Sequence, residues 1–248
     1  MGRRYWLTGA ADGVGASLAE ALLQTGAQLA IGSSKSSKLL SQRYQGQVLA
    51  LPANMTNSQI VREVGQLISQ QWGALDTVII NAGTAEYVEG QPADHTLVEH
   101  IVRSNLLAAS FCVEVALPLL RQGVTPHLVG IASPVTYLAP SHAAGDGTTL
   151  RQVFESVRGA PSGKGIDVTL VIPGFDDPAM GLDGSLPIPT RWSAPATANY
   201  ILAQLNERPH ETPLPAASMK TLWPLPSSAN NFPADTHPAG ESPIKGQP

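Results

Sequence analysis

The residues best suited to chemistry follow the first apolar strand, where a glycine-rich turn leads directly into a helix. Their spacing is T-G-x-x-x-G-x-G. In such a strand-turn-helix unit, Gly9 allows a tight turn, Gly13 lets backbone approach a pyrophosphate at the positive end of the helix dipole, and Gly15 permits close helix packing. A tight turn without a ligand is the alternative. The candidate phosphate-binding residues are Thr8, Gly9, Gly13, Val14 and Gly15.

The serine-rich segment 33–37, after the second strand, lies where a dinucleotide fold selects its cofactor. An acidic side chain there would bind the ribose hydroxyls of NAD, and this segment has none. The hydroxyls of Ser33 and Ser34, with the charge of Lys35, instead favour the 2′-phosphate of NADP. Asp12 in the glycine turn would repel that phosphate, so NAD remains the less favoured cofactor. A purely structural serine loop is the alternative without a ligand.

Strands and helices alternate along the chain, and βαβ units of this kind close right-handed into parallel sheets. The predicted strands are 4–8, 28–32, 48–51, 76–80, 127–132 and 166–172. The predicted helices are 13–24, 38–44, 57–71, 94–122 with a break near 102–105, 148–158 and 196–206. The sequence thus predicts an α/β protein, with a Rossmann-like doubly wound parallel sheet in three α/β/α layers, as a single domain over residues 1–206.

The remaining segment, 207–248, is rich in proline and lacks a periodic apolar pattern. We therefore predict that most of it is disordered, and that only residues 211–214 could add an edge strand.

Composition restricts the function further. The chain of 248 residues has a net charge of -4 and no basic cluster, which argues against nucleic-acid binding. Its single cysteine, Cys112, cannot form an internal disulfide and fits the reducing cytoplasm. The apolar stretch at the start is too short for a signal peptide or a membrane span. The six histidines show no metal-ligand spacing. We expect a cytoplasmic protein without a membrane span or a metal.

A second motif, Asn81-Ala82-Gly83, ends the fourth strand. The glycine motif followed about seventy residues later by N-A-G resembles the short-chain dehydrogenase/reductase family, over residues 4–206. The resemblance implies an NAD(P)-dependent oxidoreductase that transfers hydride between the nicotinamide and an unknown small carbonyl or alcohol. It also implies that Asn81 supports the central strand and that Asn81, Ala82 and Gly83 lie near the adenine ribose.

The resemblance assigns further positions. Asn54 stands where the family usually has an aspartate that contacts adenine, and Pro173-Gly174 match the P-G motif beside the nicotinamide. Ser133 matches the serine that hydrogen-bonds the substrate oxygen. Asn105 matches the asparagine that kinks its helix and holds a water of the proton relay.

The family's general acid is missing. That acid is a tyrosine, followed four residues later by a lysine that lowers its pKa and anchors the nicotinamide ribose. Aligned by the helix that follows, the two positions hold Ala143 and Gly147, and counting from Ser133 also fails to give the pair. The sequence therefore predicts an NADP-binding protein with impaired catalysis. The alternatives are a non-catalytic binding or scaffolding protein, or an active reductase in which His142 or Asp146 supplies the acid.

Two helices favour self-association. The segment 106–120 is apolar on most faces, and the segment 148–158 carries a stripe of Leu150, Val153, Phe154 and Val157. The resemblance offers the same two helices as a subunit interface. We therefore predict a homodimer or homotetramer.

Overall fold

A computed structural model describes residues 2–82, 95–132, 149–163, 165–174 and 193–215. Seven strands form a parallel sheet. They are β1 (Arg4–Leu7), β2 (Gln28–Gly32), β3 (Val48–Leu51), β4 (Thr77–Ala82), β5 (His127–Ala132), β6 (Asp167–Gly174) and β7 (Glu211–Pro215). Their order across the sheet is β3-β2-β1-β4-β5-β6-β7. The predicted α/β fold with a doubly wound parallel sheet is confirmed.

Helices cover both faces of the sheet. They are α1 (Gly13–Gln24), α2 (Lys35–Arg43), α3 (Ser58–Trp72), α4 (His95–Leu120), α5 (Leu150–Gly159) and α6 (Ala194–Glu207). One apolar core joins the sheet to α3, α4 and α5, and a second joins it to α1, α2 and α6. Successive strand residues alternate between the cores, so Trp6 of β1 enters the first and Leu7 the second.

Two helix predictions were wrong. The helix predicted to start at residue 38 begins at Lys35, because Ser34 caps it. The break predicted near residues 102–105 is absent, and α4 continues through that segment. Buried residues at Val102, Leu106 and Ala109 keep the helical spacing there, so one face of the helix stays in the core throughout.

The sheet continues past the predicted domain end at residue 206. β7 pairs in parallel with β6, with Ile172 opposite Pro213 and Gly174 opposite Pro215. A proline has no N–H to donate, and an edge strand needs only one of its sides for pairing. The strand allowed for residues 211–214 is therefore present. Residues 216–248 lie outside the described part of the chain, so the disorder predicted for them stays a prediction.

An ion pair between Arg4 and Asp76 lies at the amino-terminal edge of the sheet. The Arg4 Nη2 and Asp76 Oδ1 atoms are 2.7 Å apart. The N–H groups of Arg4 and Val124 also donate to this carboxylate, at 2.9 and 2.7 Å. Burial alone would raise the pKa of Asp76, but the hydrogen bonds and charge of Arg4 and the Val124 bond outweigh it and lower the pKa to about 2. The pair therefore stabilises the fold near neutral pH.

The apolar stripe of α5 belongs to the core of its own chain. Leu150, Phe154 and Val157 are buried, and Phe154 packs so closely on β5 that a Cβ at Gly130 would lie 2.5 Å from its ring. The outward face of α5 carries polar residues such as Gln152. The stripe was thus wrongly interpreted as a surface for self-association.

α4 keeps part of its apolar surface in contact with solvent. Leu107 is 44% exposed and Phe111 is half-buried. By length and composition, the Val102–Leu120 segment would suffice to span a membrane, a test that core helices also pass. Its buried residues, Cys112 among them, pack in the first core, while Glu114 lies exposed. The absence of a membrane span stays a prediction.

Candidate functional site

The glycine turn lies at the carboxyl-terminal edge of the sheet, where the strand order reverses. β1 has β2 on one side and β4 on the other, with Leu7 level with both Ile31 and Ile79. The chain leaves these three strands at the same edge. Open α/β sheets bind their ligands in the crevice at such a switch point. The register therefore brings the two sequence motifs and the serine-rich segment to one place.

Hydrogen bonds join Thr8 and Asn81 across the ends of β1 and β4. The backbone N–H of Thr8 donates to the Ile79 carbonyl at 3.0 Å, and the backbone N–H of Asn81 donates to the Thr8 hydroxyl at 3.0 Å. The Asn81 side-chain amide donates to the Gly9 carbonyl at 3.1 Å. These bonds hold the first half of the glycine turn against the central strand. Asn81 thus supports β1 and β4 as the resemblance implied.

Neighbouring atoms approach Gly9 and Gly15 so closely that both positions require glycine. Gly9 has φ of +62°, and a Cβ there would lie 2.9 Å from the Asn81 carbonyl oxygen. A Cβ at Gly15 would lie 1.8 Å from the Gly9 carbonyl oxygen. No side chain fits at that distance. Gly15 therefore lets α1 pack closely on the glycine turn.

Gly13 differs because its side-chain position is open. Its φ is +50°, and a Cβ there would meet no described atom within 4 Å. α1 begins at this residue, its N-cap Asp12 makes no side-chain capping bond, and the first turn has no acidic residue. Val14 is half-buried and packs against the second core. First-turn N–H groups without a side-chain cap, beside open space, are features that an anion site requires.

The serine-rich segment 33–37 contains the capped start of α2, where the alternative interpretation was a structural loop. The Ser34 hydroxyl accepts from the Ser37 N–H at 3.1 Å, and the Ser37 hydroxyl accepts from the Ser34 N–H at 2.7 Å. This reciprocal capping box engages the Ser34 side chain in the fold. Lys35 is exposed as the first residue of the helix. The serine three residues after Ser34 was the sequence signal for this cap.

A contact that sequence reasoning missed joins α2 to the glycine turn. The half-buried Ser36 donates its hydroxyl to the Ala11 carbonyl at 2.6 Å. No spacing rule predicts this bond, because Ser36 lies in α2 and Ala11 lies in the glycine turn. It joins the start of α2 to the exposed half of the glycine turn, residues 11–13.

Ser33 and Asn54 complete this part of the edge. Ser33 is exposed, and its N–H donates to the Leu51 carbonyl at 2.6 Å, which ties it to β3. Asn54 is exposed and accepts from the N–H and hydroxyl of Thr56 at 3.2 and 2.7 Å. The side-chain oxygen of Asn54 therefore closes a local turn with Thr56. The contact of Asn54 with adenine stays a prediction.

The structure describes one of the two candidate catalytic residues. Asn105 is buried in α4, 2% exposed, and makes an interaction within the fold. Ser133 and the whole segment 133–148, where the tyrosine and lysine were sought, lie outside the described residues. The structure therefore leaves both catalytic roles as predictions.

The strands β4, β5 and β6 are in register at the same edge of the sheet. Ala82, the last residue of β4, pairs with Ala132 of β5, the residue before Ser133. Gly83 lies beyond the described part of this segment. Pro173 and Gly174 end β6 at the same edge, and their place beside the nicotinamide stays a prediction.

Other polar features of the described residues are structural. A cleft of about 680 Å³ at the opposite, amino-terminal edge is lined by Arg3, Arg4 and Asp76, among others, and these groups hydrogen-bond within the fold. His127 is buried beside the Thr169 hydroxyl at 2.9 Å, and burial lowers its pKa to about 4. Within the described ranges, no three His, Cys, Asp or Glu residues form a metal-binding group.

Comparison with known proteins agrees with the fold and the turn. The family model of the short chain dehydrogenases matches residues 5–182, so the chain belongs to the short-chain dehydrogenase family. An uncharacterised oxidoreductase of Staphylococcus aureus is 27% identical over 183 residues, which cover 70% of this chain and 78% of that protein.

Solved structures show the same fold. A short-chain dehydrogenase from Streptomyces avermitilis superposes with a TM-score of 0.66 at 19% identity, over 86% of this chain and 89% of that one. An alcohol dehydrogenase from the archaeon Thermococcus sibiricus, complexed with 5-hydroxy-NADP, gives a TM-score of 0.62 at 18% identity, over 86% and 94% of the two chains. At these identities the likeness concerns the fold alone.

Proposed function

We propose that the protein binds NADP(H) at the glycine turn and reduces or oxidises a carbonyl or alcohol substrate only slowly. The observation that carries the binding proposal is the uncapped start of α1 at Gly13, where a positive φ and open space leave room for a pyrophosphate. The rigid bonds around Gly9 support it, because they hold the turn in shape before any ligand arrives.

The start of α2 supports NADP over NAD. Lys35 and Lys38 lie exposed in or next to its first turn, and that turn has no acidic residue. Cations are unfavourable near a helix N-terminus, and a bound phosphate would offset this repulsion. The solved alcohol dehydrogenase with 5-hydroxy-NADP has the same fold. Asp12 is exposed in the turn and acts against a phosphate, so we expect the preference to be moderate.

The impaired catalysis is proposed from the sequence. Without the Tyr-x-x-x-Lys pair, general-acid help typically worth about 10²- to 10⁴-fold is lost. Ser133 and Asn105 would still polarise or position a carbonyl. Because residues of one relay are non-additive, Ser133→Ala should reduce a slow turnover little further. The same loss favours a non-catalytic nucleotide-binding or scaffolding role as the second candidate, and an acid supplied by His142 or Asp146 would instead restore ordinary rates.

The proposal also covers location and assembly. Burial raises the pKa of the Cys112 thiol to about 12, so the single cysteine stays protonated and inert, as suits a cytoplasmic protein. The apolar surface left on α4 around Leu107 and Phe111 supports self-association through that helix.

Calorimetric titration of the purified protein with NADP and NAD tests the binding proposal. We expect saturable binding of both, with NADP the tighter. Lys35→Ala should weaken NADP by about 1 kcal/mol, the value of a partly exposed charge-assisted bond, and leave NAD unchanged as the internal control. Failure of the wild type to bind either nucleotide would refute the proposed function. Equal losses for both nucleotides would refute only the role of Lys35.

A further inference from the structure

Ser36 is the second residue of α2, and its hydroxyl leaves its own helix. Ser37 and Ser41 direct their hydroxyls to the carbonyls of Ser34 and Ser37, within the same segment. The Ser36 hydroxyl donates instead to the Ala11 carbonyl, at 2.6 Å, across to the glycine turn. A short bond between α2 and the glycine turn restricts the position of both.

The bond acts on the half of the turn that is otherwise exposed. The first half is fixed by the Asn81 amide on Gly9 and by the close contact of Gly15. Ala11, Asp12 and Gly13 lie exposed after it. Apart from the bonds inside α1, the hydrogen bonds of these three residues within the described ranges are the one from the Ala16 N–H to the Asp12 carbonyl and the one from the Ser36 hydroxyl to the Ala11 carbonyl. Ser36 is therefore the tether of the exposed half.

The tethered residues lead directly into the candidate phosphate site. Ala11 is two residues before Gly13, where the first-turn N–H groups of α1 begin. A loop that is ordered before binding loses less conformational entropy when the ligand arrives, and so it binds more tightly. The position of the Ala11 carbonyl also sets the direction in which the following N–H groups point.

We propose that Ser36 is a positioning residue for nucleotide binding, which holds the exposed half of the glycine turn in its phosphate-binding shape. This inference rests on the proposed function, since it concerns the same site. It separates two roles at the start of α2: Ser36 acts on the pyrophosphate that NAD and NADP share, whereas Lys35 acts on the 2′-phosphate that only NADP has.

Titration of Ser36→Ala with both nucleotides tests the proposal. Loss of one such bond should weaken NAD and NADP equally, by about five- to tenfold. Ser36→Thr keeps the hydroxyl and should restore most of the affinity. Ser41→Ala is the matched control, because it removes a serine hydroxyl from the same helix without touching the turn, and it should bind as the wild type does.

Three results would overturn the positioning role. Unchanged affinity in Ser36→Ala, with a wild type that binds, refutes it alone. A loss confined to NADP would show that Ser36 reads the 2′-phosphate. A wild type that binds neither nucleotide refutes the proposed function and this inference together. Backbone relaxation of the Ala11 to Gly13 amides in the free protein gives an independent readout, and we expect their order parameters to fall in Ser36→Ala but not in Ser41→Ala.

Discussion

Replacing Gly13 with alanine separates the cost of backbone strain from the loss of ligand space. The residue has φ of +50°, so an alanine there costs about 1 kcal/mol of strain. Its Cβ would meet no described atom within 4 Å, so no steric clash should add to this strain in the free protein. In the complex that Cβ would occupy the space of the pyrophosphate. Loss of one or more charge-assisted N–H bonds to phosphate, about 1.5 to 3 kcal/mol, should weaken both nucleotides by roughly ten- to a hundredfold.

Gly73→Ala is the control for this change. Gly73 ends α3 with φ of +71° and equally open space, but it precedes β4 at the opposite edge of the sheet. Denaturant unfolding should show a similar loss of about 1 kcal/mol in both variants. Calorimetry should show weakened nucleotide binding only in Gly13→Ala. If Gly13→Ala binds both nucleotides like the wild type, the open space at Gly13 is not the phosphate site.

Three further predictions concern stability and assembly. Because the folded pKa of Asp76 is about 2, below its usual value of 3.8, its ion pair stabilises the protein above about pH 4 and loses this effect as the pH falls toward 2. The difference in unfolding free energy between wild type and Asp76→Asn should therefore shrink by about 2 kcal/mol over that range, and a constant difference would contradict the linkage. The buried Thr197 hydroxyl has no hydrogen-bond partner in the described part of the chain, so Thr197→Val should raise the unfolding free energy by about 1 kcal/mol. Thr212→Val, which removes a 2.7 Å bond to the Tyr200 hydroxyl, should lower it by a similar amount, and the same sign for both variants would refute this reasoning. Leu107→Arg should shift a self-associated protein toward monomer in sedimentation at micromolar concentration, and a wild type that is already monomeric would refute association through α4.

Much of the sheet could be predicted because each buried strand is a short apolar run between turn residues. The bounds of β2, β3 and β5 agree with the sequence, since their runs end in glycine, proline or serine. The order of the strands was not predicted, because a right-handed crossover does not state which strands become neighbours. The first glycine motif gave the position of the turn and the N-A-G motif gave its partner, Asn81.

The remaining differences have physical causes. The start of α2 was missed because serine favours both loops and helix caps, and only the reciprocal bonds of Ser34 and Ser37 decide between them. The stripe on α5 is visible in the sequence, but a stripe does not state whether the sheet or a second subunit covers it. The bond between Ser36 and Ala11 joins residues 25 positions apart, and no local pattern encodes such a contact.

The most direct test of the account is the rate at which the purified wild type, saturated with NADPH, oxidises it in the presence of a panel of aldehydes and ketones. We expect saturable NADPH binding at the glycine turn. Because we propose that the proton donor is missing, we expect turnover at least about 10²-fold below the usual enzyme value of about 10 s⁻¹. Turnover in the range of about 1 to 10³ s⁻¹ with any of these carbonyls would contradict it.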